Sequence, residues 1–172
     1  MSVPAKYLWA ALGVAVISHS MIVSAFPGAI MGAAIERLSQ ERFNQWRVAD
    51  RVTPLSRQIV RPSPDFAYSA CPYDLSRGPI SLRVAPWNDY WSLSLYADNS
   101  DNFYVVNDIE APQGADITLI AADDGLPSVL TPVIQSPSKR GIALIRRLAP
   151  SVDSYNAAVR VAQGDICAPL VR

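Results

Sequence analysis

The chain has 172 residues, half of them hydrophobic and only 17 % charged, with a formal net charge of zero. That length holds one ordinary domain plus an appendage, and the neutral balance excludes the basic footprint of a nucleic-acid-binding protein. Fourteen prolines against eight glycines favour turns and strand ends over long helices beyond the N-terminus.

The apolar excess is concentrated at the start. From Tyr7 to Ile35 no residue carries a formal charge. About 20 apolar residues in a helix cross a bilayer, so the run predicts a single span from Leu8 to Phe26 within an anchor segment 1–35. Tyr7 and Trp9 suit one headgroup layer, and Pro27 and Gly28 are expected to kink or end the helix near the other. A cleaved signal peptide has an apolar core of about 7–15 residues. This run is longer, and Ser24-Ala25-Phe26 matches a cleavage site poorly, so we read an uncleaved anchor. His19 is the only histidine and falls inside it, where a neutral imidazole bonded to a carbonyl or a partner helix is the simplest role.

Residues 36–56 read as a connecting helix and linker. Ile35, Leu38, Phe43 and Trp46 form an apolar stripe at helical spacing, predicting a helix from Glu36 to Ala49. Pro54 then disfavours helix at Thr53.

Residues 57–172 read as a β domain. Apolar alternation begins at Ile59. Ser81–Val84 alternates, and Tyr90–Tyr96 does so more clearly, with Trp91, Leu93 and Leu95 on one face and Ser92, Ser94 and Tyr96 on the other. Phe103–Asn107, Ile117–Ala121, Thr131–Gln135 and Ile142–Leu148 are further short strands. Turn residues separate them about every 8–12 residues, which predicts a mainly β fold: an antiparallel sandwich or partly closed barrel. After Pro150 a short helix is expected, capped by Ser151 or Asp153 and stopped at Gly164. Cys71 and Cys167, the only cysteines, are either two buried thiols in a reducing compartment or a disulfide in an oxidising one.

The soluble part has no histidine, which excludes Ser-His-Asp and Cys-His catalysis and the usual zinc sites. No nucleotide-binding glycine motif or nucleophile elbow occurs, and no cofactor or metal is implied. Asp98-Asn99-Ser100-Asp101-Asn102 carries oxygen ligands but lacks the glycine and closing glutamate of a calcium loop, so it reads as an Asx turn, as does Asp123-Asp124-Gly125. The remaining polar candidates are Arg61, Asp65, Tyr68 and Asp74. Arg61 and Asp65 sit in a Pro-rich stretch where they could form a structural latch or face a cleft. Trp87, Tyr90 and Trp91 are candidate aromatics for a ligand or partner, or core residues.

The stretch from Arg61 to Asn107 resembles the bacterial Domain of Unknown Function 1254 family. The resemblance is carried by Val60-Arg61-Pro62-x-x-Asp65, Tyr68-Ser69, Asp74-Leu75-Ser76-x-Gly78-Pro79, Tyr90-Trp91-Ser92-Leu93 and Asp101-Asn102-Phe103, and it extends from about Asn44 to the C-terminus. Ser63 and Phe66 depart from the family's asparagine and threonine. The resemblance implies an exported, jelly-roll-related β domain, commonly followed by a second β domain, family 1214. It brings no catalytic residues. We therefore expect a short, membrane-anchored version lacking that second domain.

Three functions fit: a binding or assembly module for a partner chain carrying the second β domain, half of an envelope enzyme with a cleft at Arg61, Asp65 and Tyr68, or a glycan- or lipid-binding module. The chain is expected in the bacterial inner membrane as a single-pass protein. Arg37, Arg42, Arg47 and Arg51 argue for a cytoplasmic domain by the positive-inside rule. The family's habit of export and the cysteine pair argue for a periplasmic one, which we adopt.

Overall fold

The chain opens with one long helix, α1 (Ala5–Ser39), followed by two stacked β-sheets and one short helix. The computed structural model describes residues 4–56 and 61–170, so Ile59 and Val60 lie outside the described residues. The first sheet joins β1 (Arg47–Val48), β2 (Phe66–Asp74), β8 (Arg140–Leu148), β4 (Trp91–Ala97) and β5 (Asn102–Asn107) in the order β1-β2-β8-β4-β5. The second joins β7 (Val133–Ser136), β6 (Ala115–Ala121), β3 (Ile80–Val84) and β9 (Ile166–Pro169) in the order β7-β6-β3-β9. Every pairing is antiparallel except β6 with β7, which run parallel. The architecture is a sandwich and not a closed barrel.

Period-two alternation builds the core. Trp91, Leu93 and Leu95 point inward with Cys71, Tyr73, Ala143 and Ile145, against Ile80, Leu82, Ile117 and Leu119 of the other sheet. Burying each such Leu or Ile fully is worth about 1.5–3 kcal/mol. The opposite face of β4 is covered too: Ser92 and Ser94 are buried. That face belongs to a third layer. Met31, Ala34 and Ile35 of α1 pack on Ala70 and Ile142 of the first sheet, with Leu38, Phe43, Tyr96 and Leu144 around them.

Two local expectations change, and one element is new. Pro27 neither ends nor stops α1, which continues to Ser39. The carbonyl of Pro27 accepts a hydrogen bond from Ser100 Oγ at 3.0 Å, so the turn between β4 and β5 meets the helix there. The predicted helix from Glu36 to Ala49 is replaced by the end of α1 and an irregular crossing into β1. Gln40 and Glu41 adopt positive φ, and Asn44 binds both the N–H and the C=O of Asp74 at 2.8 and 2.9 Å. Phe43 and Trp46, the stripe that suggested a helix, pack separately against the helix–sheet cluster and the inter-sheet core. Finally, the tail is a strand: β9 pairs with β3. The C-terminal helix α2 (Val152–Ala162) forms as expected, with Ser151 and Ser154 capping each other reciprocally.

Two cross-links fasten the tail to the first sheet. Cys71 on β2 is bonded to Cys167 on β9. Arg147 on β8 grips Asp165, just before β9, through two bonds of 2.8 and 2.7 Å. Their side chains are 2 % and 0 % exposed. The Ala85 carbonyl accepts from Arg147 at 3.1 Å, and the Ala85 N–H donates to Asp165 at 2.9 Å.

Tyr73 is fully enclosed. Its hydroxyl donates to the Tyr96 carbonyl at 3.0 Å and meets Ser136 Oγ at 2.9 Å. Gly141 makes room for it, because a Cβ at that position would occupy the space of the Tyr73 hydroxyl.

Removing either partner of the buried ion pair strands a charge. Arg147→Met or Asp165→Leu should each cost about 3–5 kcal/mol in urea unfolding, and the double variant should cost less than either single one. Replacing both cysteines by serine reopens a loop whose ends are 96 residues apart. It should cost up to about 4–5 kcal/mol on the chain-entropy model. Burial pushes the Tyr73 hydroxyl from 10.0 up to about 12, against the opposing hydrogen bond from Ser136. The stability this gives is complete below the unfolded value and is lost as pH rises through the folded one. Unfolding midpoints should therefore fall between about pH 10 and 12, with a shallower fall in Tyr73→Phe.

Candidate functional site

The four polar candidates lie on or near β2, but the strand separates them. Tyr68 is near its start and Asp74 at its end, roughly 20 Å apart at about 3.3 Å per residue. At the near end, Tyr68 accepts a hydrogen bond from the Ser63 N–H at 3.0 Å. Asp65 is exposed, and its carbonyl accepts from Ala149 N–H at 2.7 Å. Among the described residues no ion pair joins Arg61 to Asp65. Arg61 and Tyr68 line one groove, and Asp65 is not among the residues of its wall.

That groove has a volume of about 480 Å³ and lies between α1 and the outer face of the first sheet. Its walls are Ile30, Met31, Ala34 and Leu38 on one side and Arg61, Pro62 and Tyr68 on the other, over a floor of Ile142, Leu144 and Arg146. Arg146 was not foreseen as a site residue. It is half-buried and donates to the Tyr96 hydroxyl at 3.0 Å. The available signal was parity. In β8, Ile142, Leu144 and Arg146 share the face that α1 covers, but the covering helix is about a hundred residues away in sequence.

Asp74, at the far end, belongs to a second, more polar cleft of about 390 Å³. Its carboxylate bonds Arg140 Nε and the Ser76 N–H at 2.8 and 2.9 Å. Arg140 also lies over the Phe43 ring, 5.1 Å from its centroid. Burial disfavours the charged form of Asp74, but its bonds to Ser76 and Arg140 outweigh this and hold the carboxyl below its ordinary value. A carboxylate so occupied is a latch between the end of β2 and the start of β8, poorly suited to taking up a proton in acid-base catalysis.

The candidate aromatics also disperse. Trp91 is wholly within the core. Trp87 is half-buried and donates from its indole nitrogen to the Leu148 carbonyl at 3.1 Å. Tyr90 alone is substantially open, at 41 %, and stacks edge-on against Phe66 at 5.9 Å. They form no common stacking surface. The Asx-rich turn is closed by its own bonds, Asn99 to Asp101 in both directions. Among the described residues no cluster of three or more His, Cys, Asp or Glu side chains is placed to hold a metal ion.

The family model for a protein of unknown function, DUF1254, matches residues 43–169. The chain belongs to the DUF1254 family. No curated protein matches it. Among solved structures, the VPA0106 protein from Vibrio parahaemolyticus is similar with a TM-score of 0.64 at 12 % identity, over 84 % of this chain and 36 % of that one. An uncharacterized protein from Burkholderia cenocepacia aligns with a TM-score of 0.48 at 14 % identity, over 67 % of this chain and 34 % of that one. The first likeness establishes the shared fold. The chain spans about a third of the length of each of these proteins.

Proposed function

We propose that this DUF1254 chain is a membrane-anchored envelope protein whose β domain is an assembly module for a partner polypeptide. The observation that carries the reading is the segment between β6 and β7. It runs Gly125-Leu126-Pro127-Ser128-Val129-Leu130, with Leu126 and Leu130 almost wholly in water. Beside it is a concavity of about 720 Å³ lined by Pro79, Pro127, Val129 and Leu170. Single exposed apolar residues are ordinary, but two large ones on a proline-stiffened loop beside an apolar hollow suit a protein–protein contact. The partner we infer carries a second β domain of the kind that the family resemblance implies beside this one.

The anchor reading is supported by α1, the one described helix long and apolar enough to cross a membrane. Its large side chains from Tyr7 to Phe26 are all exposed. The disulfide supports a periplasmic domain in a bacterial inner membrane, because such bonds persist in oxidising compartments. In this reading the disulfide is weighed above the flanking arginines.

The test uses tagged full-length chain solubilised from membranes in mild detergent. We expect a stoichiometric partner that carries a second β domain, and at least tenfold lower recovery with Leu126→Asp/Leu130→Asp at an unchanged melting temperature. In intact cells, Cys71 and Cys167 should resist a thiol reagent until reduced. A chain that elutes alone, or a variant that keeps its partner, would sink the assembly role. Reagent-reactive cysteines would sink the periplasmic placement.

A further inference from the structure

The groove beside α1 has a chemistry that the assembly role leaves unused. We propose that it holds one acyl chain of an anionic phospholipid from the surrounding membrane, with the lipid phosphate on Arg61 and Arg146. The inference rests on α1 being a membrane span.

Position supports it first. The part of α1 that no other element covers, Ala5 to Phe26, is about 22 residues or roughly 33 Å long at 1.5 Å per residue. A bilayer's hydrocarbon core is about 30 Å thick. The domain makes contact immediately after it, where Ser100 binds the Pro27 carbonyl. Ile30, at one end of the groove, lies about 6 Å further along the helix, at headgroup depth. The groove then follows α1 as far as Leu38. An acyl chain leaving the bilayer along the helix enters it without crossing water.

Lining chemistry supports it next. Ile30, Met31, Leu38 and Leu144 make the groove apolar, while Arg61 and Arg146 are the only charged residues among the described ones that line it. Among the described residues neither arginine is in an ion pair. Arg146 has only the neutral Tyr96 hydroxyl as a side-chain acceptor. A half-buried guanidinium without a carboxylate calls for an anion, and its planar fork suits phosphate oxygens. A slot of about 480 Å³ falls within the usual range of small-ligand sites, about 300–1,000 Å³. An apolar tail joined to a phosphate satisfies both halves of the lining.

The full chain should be reconstituted into nanodiscs holding equal phosphatidylglycerol and phosphatidylcholine with matched acyl chains, then released and weighed by native mass spectrometry. We expect one retained phosphatidylglycerol, favoured roughly tenfold over phosphatidylcholine: both lipids offer the phosphate, but the choline cation is repelled by the two guanidinium groups that hold the phosphate. Arg61→Gln/Arg146→Gln should lose that preference. Leu144→Trp, which narrows the slot and keeps both arginines, should lower retention of either lipid. Should the double variant fail to fold, Arg61→Gln alone carries the test, because Arg61 is exposed. Equal retention of the two lipids, or unchanged retention in the variants, would mean ordinary annular lipid and overturn the proposal. A chain that inserts and retains no lipid would overturn it too, leaving the groove to a polypeptide. A chain that fails to enter the discs would overturn the span itself, a failure distinguishable from the other two.

Discussion

The ion pair of Arg147 with Asp165 is the constraint on which the sandwich closes. Both side chains are withdrawn from water, and an isolated charge in that position would cost several kcal/mol. The geometry offsets that cost only when three segments arrive together: β8 with the guanidinium, the turn after α2 with the carboxylate, and the β3–β4 connection with the two Ala85 backbone groups. Such an arrangement adds little stability beyond what well-packed apolar residues would give. What it fixes is register. A one-residue slip of β8 would turn Arg147 outward and bring Arg146 into the core.

The disulfide reinforces the same closure from the neighbouring strand. Cys71 and Arg147 lie on one face of the first sheet, and both reach for the tail, Cys167 and Asp165. With β9 held in place, β3 is paired on both edges and α2 is confined between Ser151 and the tail. The second sheet thereby becomes the stable inner wall. The outer face of the first sheet is then the remaining apolar surface, and it is this surface that the last third of α1 covers. Helix α1 and the domain are consequently one packed unit: Met31, Ala34 and Ile35 are core residues of the domain as well as the continuation of the apolar helix.

Alternation of apolar and polar residues made the sandwich readable in the sequence, because period two is local. Tyr90–Tyr96, Ile117–Ala121 and Ile142–Leu148 became β4, β6 and β8 within one or two residues. Local pattern misled where tertiary contacts decided. Phe43 and Trp46 have helical spacing but are drawn to two different clusters, and a two-residue strand such as β1 has too few residues to show a period. The tail Ile166–Pro169 carries no alternation that marks it as β9; it is held by bonds to distant partners. The site was harder still. Tyr68 and Arg61 share a groove as neighbours on β2 and its approach, but their wall is a helix more than twenty residues upstream and their floor a strand some eighty residues downstream. Parity along β8 identifies Arg147 as inward with Ala143 and Ile145, and Arg146 as outward. It cannot show that the outward face is covered.

The distribution of charge separates architecture from function. Carboxylates engaged by cations among the described residues include Asp74 by Arg140, Asp116 by Arg83, Asp123 by Lys139 and Asp165 by Arg147. These pairs tie strands and loops together. A hydrolytic site would need two carboxylates, or a carboxylate and a nucleophile, held a few ångströms apart in environments that push their pKa values in opposite directions. Asp65 and Asp74 stand at opposite ends of one strand instead, and residues 36–172 contain no histidine. The charges left to act on a ligand around the α1 groove are guanidinium groups beside aliphatic walls. Such a lining matches the two halves of the amphiphile proposed for it. In the proposed lipid-holding role, the working face of this DUF1254 domain is the one turned towards α1, where both arginines and the aliphatic walls meet.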